Sequence, residues 1–177
     1  MHYLQREAAE FVSDLDTLQD CYRDKLSAIL RHQAGARLIR QYDVNNTYQY
    51  IINREETQLS WLARALVEQG AAVPTPDAQP EAPAPKHTAA AERTGQATRV
   101  LEQDLHEAEA FVERWRPRAE TLQDARHRGT LRVILGETLE HKRFFEQALA
   151  GETDLLGKRT DHVGPRIGEV LPARWIE

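Results

Sequence analysis

Apolar residues in the first part of the chain recur at alternating spacings of three and four, which places them on one face of a helix. The pattern runs from Leu4 to Ile29, and its single seven-residue step passes over Lys25. It predicts a helix over about 4–32. Gly35 follows where a glycine commonly ends a helix.

A second apolar face follows the stretch 36–46, which either opens the second helix or forms a short turn. Asp43, Asn45 and Asn46 are candidate N-caps, because short polar side chains accept hydrogen bonds from free backbone N–H groups. A second helix is predicted over about 46–69. The residues on its apolar face are Tyr48, Ile51, Ile52, Leu59, Leu62 and Leu66.

After Gly70, which is expected to end the second helix, the composition changes. Residues 71–90 contain five prolines and one bulky apolar residue, Val73. Proline fixes φ and removes an N–H donor, so the stretch predicts an extended linker rather than a helix or a paired strand. About twenty extended residues can span a helix of roughly 36 Å. The linker therefore allows the second and third helices to run parallel.

The second half repeats the helical pattern. A third helix is predicted over about 91–125, with a kink or break after Trp115 or Arg116 because Pro117 lies inside it. A short turn is expected at 127–129. The fourth helix then covers about 130–150, and Gly151 marks its end.

These elements predict an all-α fold in which two helical hairpins form a four-helix bundle over 1–150. The hairpins cover about 4–70 and about 91–150, and the crossover at about 71–90 joins them. Short loops make helices within each hairpin antiparallel. Residues 151–177 contain four glycines and two prolines and are expected to form an irregular tail.

Composition and charge exclude several classes of function. The 177 residues carry a net charge of −5 with both signs interspersed, which argues against a nucleic-acid partner. The single cysteine, Cys21, excludes an internal disulfide and a cysteine-based zinc site. No apolar run reaches the ~18 residues of a membrane span. The N-terminus does not have the pattern of a signal peptide, so the cytoplasm is the expected location.

Polar residues interrupt the apolar faces of the second and fourth helices at matching points. The segments EETQLSWL and TLEHKRFF align so that Glu55 matches Thr138 and Gln58 matches His141. A polar side chain on a buried face costs free energy unless it finds a partner. Each of the four is therefore expected to bind a metal ion or another side chain.

These segments resemble motifs of the ferritin-like superfamily, in particular of rubrerythrins and bacterioferritins. The second and fourth helices of those proteins each carry Glu-x-x-His followed by an apolar pair. The first segment has Gln58 in place of the His, and the second has Thr138 in place of the Glu. The long crossover is similar as well. The resemblance implies a ferritin-like bundle, with di-iron or di-manganese chemistry such as ferroxidase activity, peroxide reduction or oxygen handling.

The metal centre that the resemblance implies is incomplete here. Such a centre needs about four carboxylates and two histidines, and Glu55 and His141 are the residues that match. Glu137, four residues before His141, is a candidate for the missing carboxylate. On the first and third helices the usual offsets fall on Tyr22 and Leu105, which are not carboxylates. The nearest acidic residues there, in a shifted register, are Asp14 and Asp104.

Three hypotheses follow. In the leading one the site is degenerate and holds no cofactor. Glu55, Gln58, Thr138 and His141 then hydrogen-bond one another, and the protein is a structural or protein-interaction subunit rather than an enzyme. In the second, Glu55, Glu137 and His141 bind iron or manganese in an active di-iron oxidoreductase. In the third the resemblance is coincidental and the chain is an adaptor bundle, which antiparallel second and third helices would support.

Interaction surfaces are expected outside the helices. Leu171, Trp175 and Ile176 make the tail more apolar than a solubilising tail, so it is predicted to dock on its own bundle or on another subunit or partner. The resemblance implies a homodimer. The histidines other than His141 are expected on solvated surfaces, and they are His2, His32, His87, His106, His127 and His162.

Overall fold

A computed structural model describes residues 13–75, 90–153 and 155–156. It contains four helices, α1 (Asp14–Ala36), α2 (Tyr42–Glu68), α3 (Ala90–Thr121) and α4 (Ala125–Leu149). The predicted all-α four-helix bundle is confirmed. The predicted start of the first helix near residue 4, most of the crossover and most of the tail lie outside the described residues. Within the described ranges, no helix is both long and apolar enough to span a membrane.

Contacts between side chains fix the direction of each helix. On α1 and α2, residue numbers rise on one helix as they fall on the other, and the same holds for α1 with α3 and for α2 with α4. All neighbouring helices are therefore antiparallel, and α2 runs parallel to α3. The pairs that establish this are Lys25–Glu55, Asn45–Ala36, Arg114–Asp24, Arg31–Asp104, Arg54–Glu137 and Arg126–Glu68.

The ends of the first hairpin's helices differ from prediction. α1 continues past Gly35 to Ala36, and α2 already begins at Tyr42. The candidate N-caps Asp43 and Asn45 therefore lie inside the first turn of α2. Asn45 instead donates its side-chain N–H groups to the carbonyl oxygens of Ala36 (2.7 Å) and Ile39 (3.0 Å). It thus satisfies the carbonyl of the last residue of α1 and a carbonyl of the loop that follows.

The second hairpin also differs from prediction. α3 is continuous through Pro117 to Thr121, so the predicted break is wrong. Pro117 and Glu113, four residues earlier, are both exposed, so the carbonyl that loses its partner is on the solvent side. The predicted turn at 127–129 is wrong as well, because the Asp124 carboxylate caps α4 three residues before it. Gly151 ends α4 as predicted, with a φ of 79°.

Two apolar cores fill the bundle, one at each end. The first core, centred on Trp115 of α3, includes Leu18, Leu62, Leu66, Leu122, Leu131 and Ile134. The second core, centred on Tyr48 of α2, includes Ile39, Val44, Ile51, Leu101, Phe144 and Phe145. Burying one side chain of this kind contributes roughly 1.5–3 kcal/mol. Between the two cores lies a buried polar layer, formed by Lys25, His32, Glu55, Gln58, Asp104, Thr138 and His141.

The two hairpins approach each other closely at Gly35. A Cβ atom placed there would lie 2.8 Å from Cγ1 of Val100 on α3, closer than real Cβ contacts occur. Gly35 is thus the point at which α1 and α3 come together without an intervening side chain.

Candidate functional site: the buried polar layer

The four polar residues that the aligned segments singled out are all buried, as predicted. Glu55 and His141 retain 2% and 1% of their exposure, and Gln58 and Thr138 are similarly enclosed. They lie on α2 and α4, one helical turn apart within each pair. A buried polar group without a hydrogen-bond partner costs free energy, so the contacts of each side chain decide what the layer can do.

Glu55 is the centre of the layer and takes its partners from α1. The Lys25 ammonium donates to Oε1 at 2.8 Å, and Nδ1 of His32 donates to Oε2 at 2.7 Å. Lys25 is only 1% exposed, so the pair is fully buried. Because a carboxylate accepts hydrogen bonds and does not donate them, the proton of His32 is on Nδ1.

The partners of Glu55 decide its charge. Burial raises the pKa of this carboxyl, but the neighbouring His32 and Lys25 lower it by more, so the pKa lies well below its usual range. Glu55 is therefore a carboxylate at neutral pH, and the Lys25 ammonium neutralises it inside the bundle.

Asp104 on α3 is the second buried carboxylate. Arg31 donates Nε to Oδ1 at 2.8 Å, and the Tyr48 hydroxyl donates to Oδ2 at 2.6 Å. Burial raises the pKa of Tyr48, and the neighbouring Asp104 carboxylate raises it further. The phenol therefore keeps the proton that it donates. Nε2 of His32 lies 3.6 Å from Oδ1, so His32 stands between the two carboxylates.

His141 on α4 has a different environment. Its Nδ1 lies 3.8 Å from Oε1 of Glu55, too far for a hydrogen bond. Neither ring nitrogen has a hydrogen-bond partner among the described residues. Burial lowers the pKa of His141 to about 3, which leaves the ring neutral at physiological pH.

Glu137 does not join Glu55 and His141. It accepts hydrogen bonds from Arg54 and from Nε2 of Gln58, at the partly exposed side of the bundle. Thr138 donates to the carbonyl oxygen of Ile134 in its own helix at 2.8 Å. The expectation that Glu55, Gln58, Thr138 and His141 bond one another is therefore wrong, because each has a nearer partner or none.

Two residues of the layer, Lys25 and His32, were not predicted from the sequence. The prediction that His32 and His127 lie on solvated surfaces is wrong, since both are buried. Lys25 was visible as the position that the apolar pattern of the first helix passes over, and His32 lies three residues after Ile29 on the same face. The apolar pattern predicts that Tyr48 lies in the core, but it does not predict the hydrogen bond from its hydroxyl to Asp104.

The donor set does not fit a two-metal centre. Lys25 places an ammonium against the Glu55 oxygen, where a metal would need a free lone pair. Tyr22 and Leu105 contribute to the apolar cores instead of supplying ligands. Over the described ranges, no three His, Cys, Asp or Glu side chains are grouped so as to hold a metal ion.

A cavity of about 90 Å³ reaches the layer from the surface between α1 and α3. Lys25, His32, Glu55 and His141 line its inner part, and Phe111 of α3 forms a wall. The Lys25 ammonium lies 5.1 Å from the centre of the Phe111 ring, within the range of a cation–π contact. The cavity therefore leads from the surface toward the buried charges.

Comparison with known proteins bears on the fold. No protein-family model matches this chain, and no curated protein matches it. A crystal structure of a protein from Xanthomonas campestris pv. campestris is similar, with a TM-score of 0.52 over 77% of this chain and 88% of that protein. The two sequences are 16% identical. A likeness at this identity concerns the fold alone, and it supports a helical bundle.

Proposed function

We propose that this chain is a ferritin-like bundle whose metal centre has been replaced by a buried ion pair, and that it acts as a structural or protein-interaction subunit. The observation that carries the proposal is the 2.8 Å contact between Lys25 Nζ and Glu55 Oε1. The ammonium supplies the positive charge that a metal ion would otherwise bring to this carboxylate. The ion pair is thereby neutral without a cofactor.

The helix arrangement supports the ferritin-like part of the proposal. Two hairpins with α2 parallel to α3 are what the resemblance requires, and the adaptor hypothesis would instead have been favoured by antiparallel helices. Glu55 on α2 and His141 on α4 occupy matching inner positions. They are the residues that keep the family's ligand types at these points.

Metal analysis tests the proposal. The full chain is purified from cells grown with added iron and manganese, and both metals are counted per chain by mass spectrometry. We expect far less than one metal ion per chain. About two per chain would overturn the proposal in favour of an active di-iron or di-manganese oxidoreductase. A Glu55→Gln variant is the control, because metal held at the layer must disappear in it, whereas metal bound elsewhere remains.

Exposed apolar surface supports the interaction part of the proposal. A groove of about 410 Å³ lies between α2 and α4, and its lining includes Trp61, the exposed Val133 and the exposed charged residues Arg64 and Arg126. An apolar patch with a charged rim is typical of a contact surface.

The oligomeric state is the direct test of this part. We expect the full chain to form a homodimer, measured by light scattering on a size-exclusion column over a range of concentrations. The predicted docking residues Leu171, Trp175 and Ile176 lie outside the described residues. A Trp175→Ala variant tests whether the tail contributes, with Trp61→Ala as the matched change in the groove. A chain that stays monomeric at all concentrations contradicts the dimer.

A further inference from the structure

The cavity between α1 and α3 ends on side chains whose hydrogen-bonding capacity is not used. His141 offers two ring nitrogens and His32 offers Nε2, and none of the three has a hydrogen-bond partner among the described residues. Lys25 carries three N–H groups and makes a hydrogen bond to Glu55. All these side chains are more than nine-tenths buried. A buried polar group without a partner is unfavourable, so these atoms favour a bound molecule.

The unused groups are of both kinds. A neutral imidazole has one N–H donor and one acceptor nitrogen, and burial keeps His141 neutral by lowering its pKa to about 3. Nδ1 of His32 is used in the hydrogen bond to Glu55, which leaves Nε2 as the ring nitrogen without a partner. Lys25 can only donate. A molecule that satisfies this set must therefore both donate and accept hydrogen bonds.

The charges around the cavity cancel. Its cationic lining residues are Lys25, Arg31 and Arg114, and its anionic ones are Asp24, Glu55 and Glu107. An added anion would face the Glu55 carboxylate, and an added cation would face the Lys25 ammonium. Moving a net charge into such a site is unfavourable. The electrostatics therefore select an uncharged ligand.

We propose that this cavity is a binding site for a small neutral molecule that carries both a hydrogen-bond donor and an acceptor, such as a simple amide or alcohol. The volume of about 90 Å³ limits its size. Since a cavity of about 150 Å³ can hold benzene, the space suits a compound of only a few non-hydrogen atoms. The site is separate from the proposed interaction groove and requires no metal.

Formamide, formate and formamidinium test the proposal, because they have nearly the same size and shape. Formamide is neutral and both donates and accepts, formate is an anion that accepts, and formamidinium is a cation that donates. Each is titrated into the full chain labelled with ¹⁵N in its histidines, and the ring signals are followed by NMR. The His141 signal is assigned from its loss in a His141→Gln variant. We expect a saturable shift of His141 with formamide and none with the two ions.

Two variants locate the binding. Ala108→Leu fills the cavity from α3 and should abolish the formamide shift. Ala97→Leu, three turns away on the same helix and outside the cavity, should leave it unchanged. Ser27→Trp closes the outer end from an exposed position, so it remains informative if Ala108→Leu does not fold.

The proposal is overturned if formamide produces no saturable shift, or if either ion shifts His141 as strongly. It is also overturned if the shift persists when the cavity is filled or closed. Failure in any of these ways is distinct from failure of the metal-free assignment, because metal content is measured without a ligand.

Discussion

The two inner positions that α2 and α4 contribute to the polar layer have opposite environments. Glu55 on α2 has a bonded cation and a bonded imidazole within 2.8 Å, whereas His141 on α4 has no hydrogen bond to any described residue. Aligned positions of two similar hairpins thus have separate roles. The α2 position holds the hairpin α1–α2 together, and the α4 position is free to contact a ligand.

Breaking the Lys25–Glu55 pair should have the largest effect. In Lys25→Met the Glu55 carboxylate stays buried without its cation, and removing one partner of such a pair costs about 3–5 kcal/mol. The free energy of unfolding, measured in urea, checks this. Lys142→Met is the control, because the ion pairs of Lys142 with Glu109 and Glu146 are largely exposed, and its loss should change little. Equal losses in both variants would show that burial does not strengthen the pair.

Acid should destabilise the protein through His141 before it acts on Glu55. The unfolded chain binds a proton at His141 below about 6.5, whereas the folded chain does so only near pH 3. The free energy of unfolding therefore decreases as the pH is lowered through this window, by roughly 1.4 kcal/mol per pH unit from this group. The lowered pKa of Glu55 adds a further loss only below its unfolded value of 4.5.

His141→Phe isolates the first of these two effects. The variant should lose the pH dependence between 6.5 and 4.5, yet stay folded at neutral pH because no hydrogen bond of a described residue is removed. Unfolding in urea at several pH values measures the slope, with His106→Phe on the exposed side of α3 as the control. An unchanged slope in His141→Phe would contradict the assignment.

Removing a hydrogen bond from the second buried carboxylate, Asp104, should lower the free energy of unfolding by an intermediate amount. Tyr48→Phe removes the hydrogen bond to Oδ2 of Asp104 and leaves Arg31 bonded. A hydrogen bond to a charged group contributes about 1.5–3 kcal/mol, and the loss is measured as a lower unfolding free energy. Tyr50→Phe, a partly exposed tyrosine that packs against Phe144, should change stability little. If the two variants are equally stable, Tyr48 does not stabilise Asp104.

A substitution of Thr138 should have the smallest effect on stability. Its hydroxyl donates to a carbonyl of its own helix, so Thr138→Val is expected to cost no more than about 1 kcal/mol. Thr47→Val is a close match, since Thr47 is also buried and bonds the carbonyl four residues before it. The midpoints of thermal unfolding of the two variants should agree. A clearly larger loss at Thr138 would mean that the layer depends on its hydroxyl.

Sequence periodicity was sufficient to predict the two helical hairpins and the buried polar positions on α2 and α4. Spacing within one helix is visible along the chain, so the burial of Glu55 and His141 could be predicted. The partners of these side chains could not be predicted, because Lys25 contacts Glu55 only when α1 and α2 pack in one particular register. The ends of the helices were predicted incorrectly for a related reason. The Asp124 cap and the two hydrogen bonds of Asn45 depend on loop geometry that composition does not specify.

The close approach at Gly35 has a counterpart at the other end of α1. There the Asp14 carboxylate accepts hydrogen bonds from the backbone N–H groups of Gln123 and Asp124, between α3 and α4. The two contacts set the axial position of the second hairpin against α1 from both ends. A slip of one helical turn, about 5.4 Å, would disrupt both of them at once. These two contacts keep Arg31 on α1 level with Asp104 on α3. The position of the backbone thus maintains the pairing of opposite charges inside the bundle.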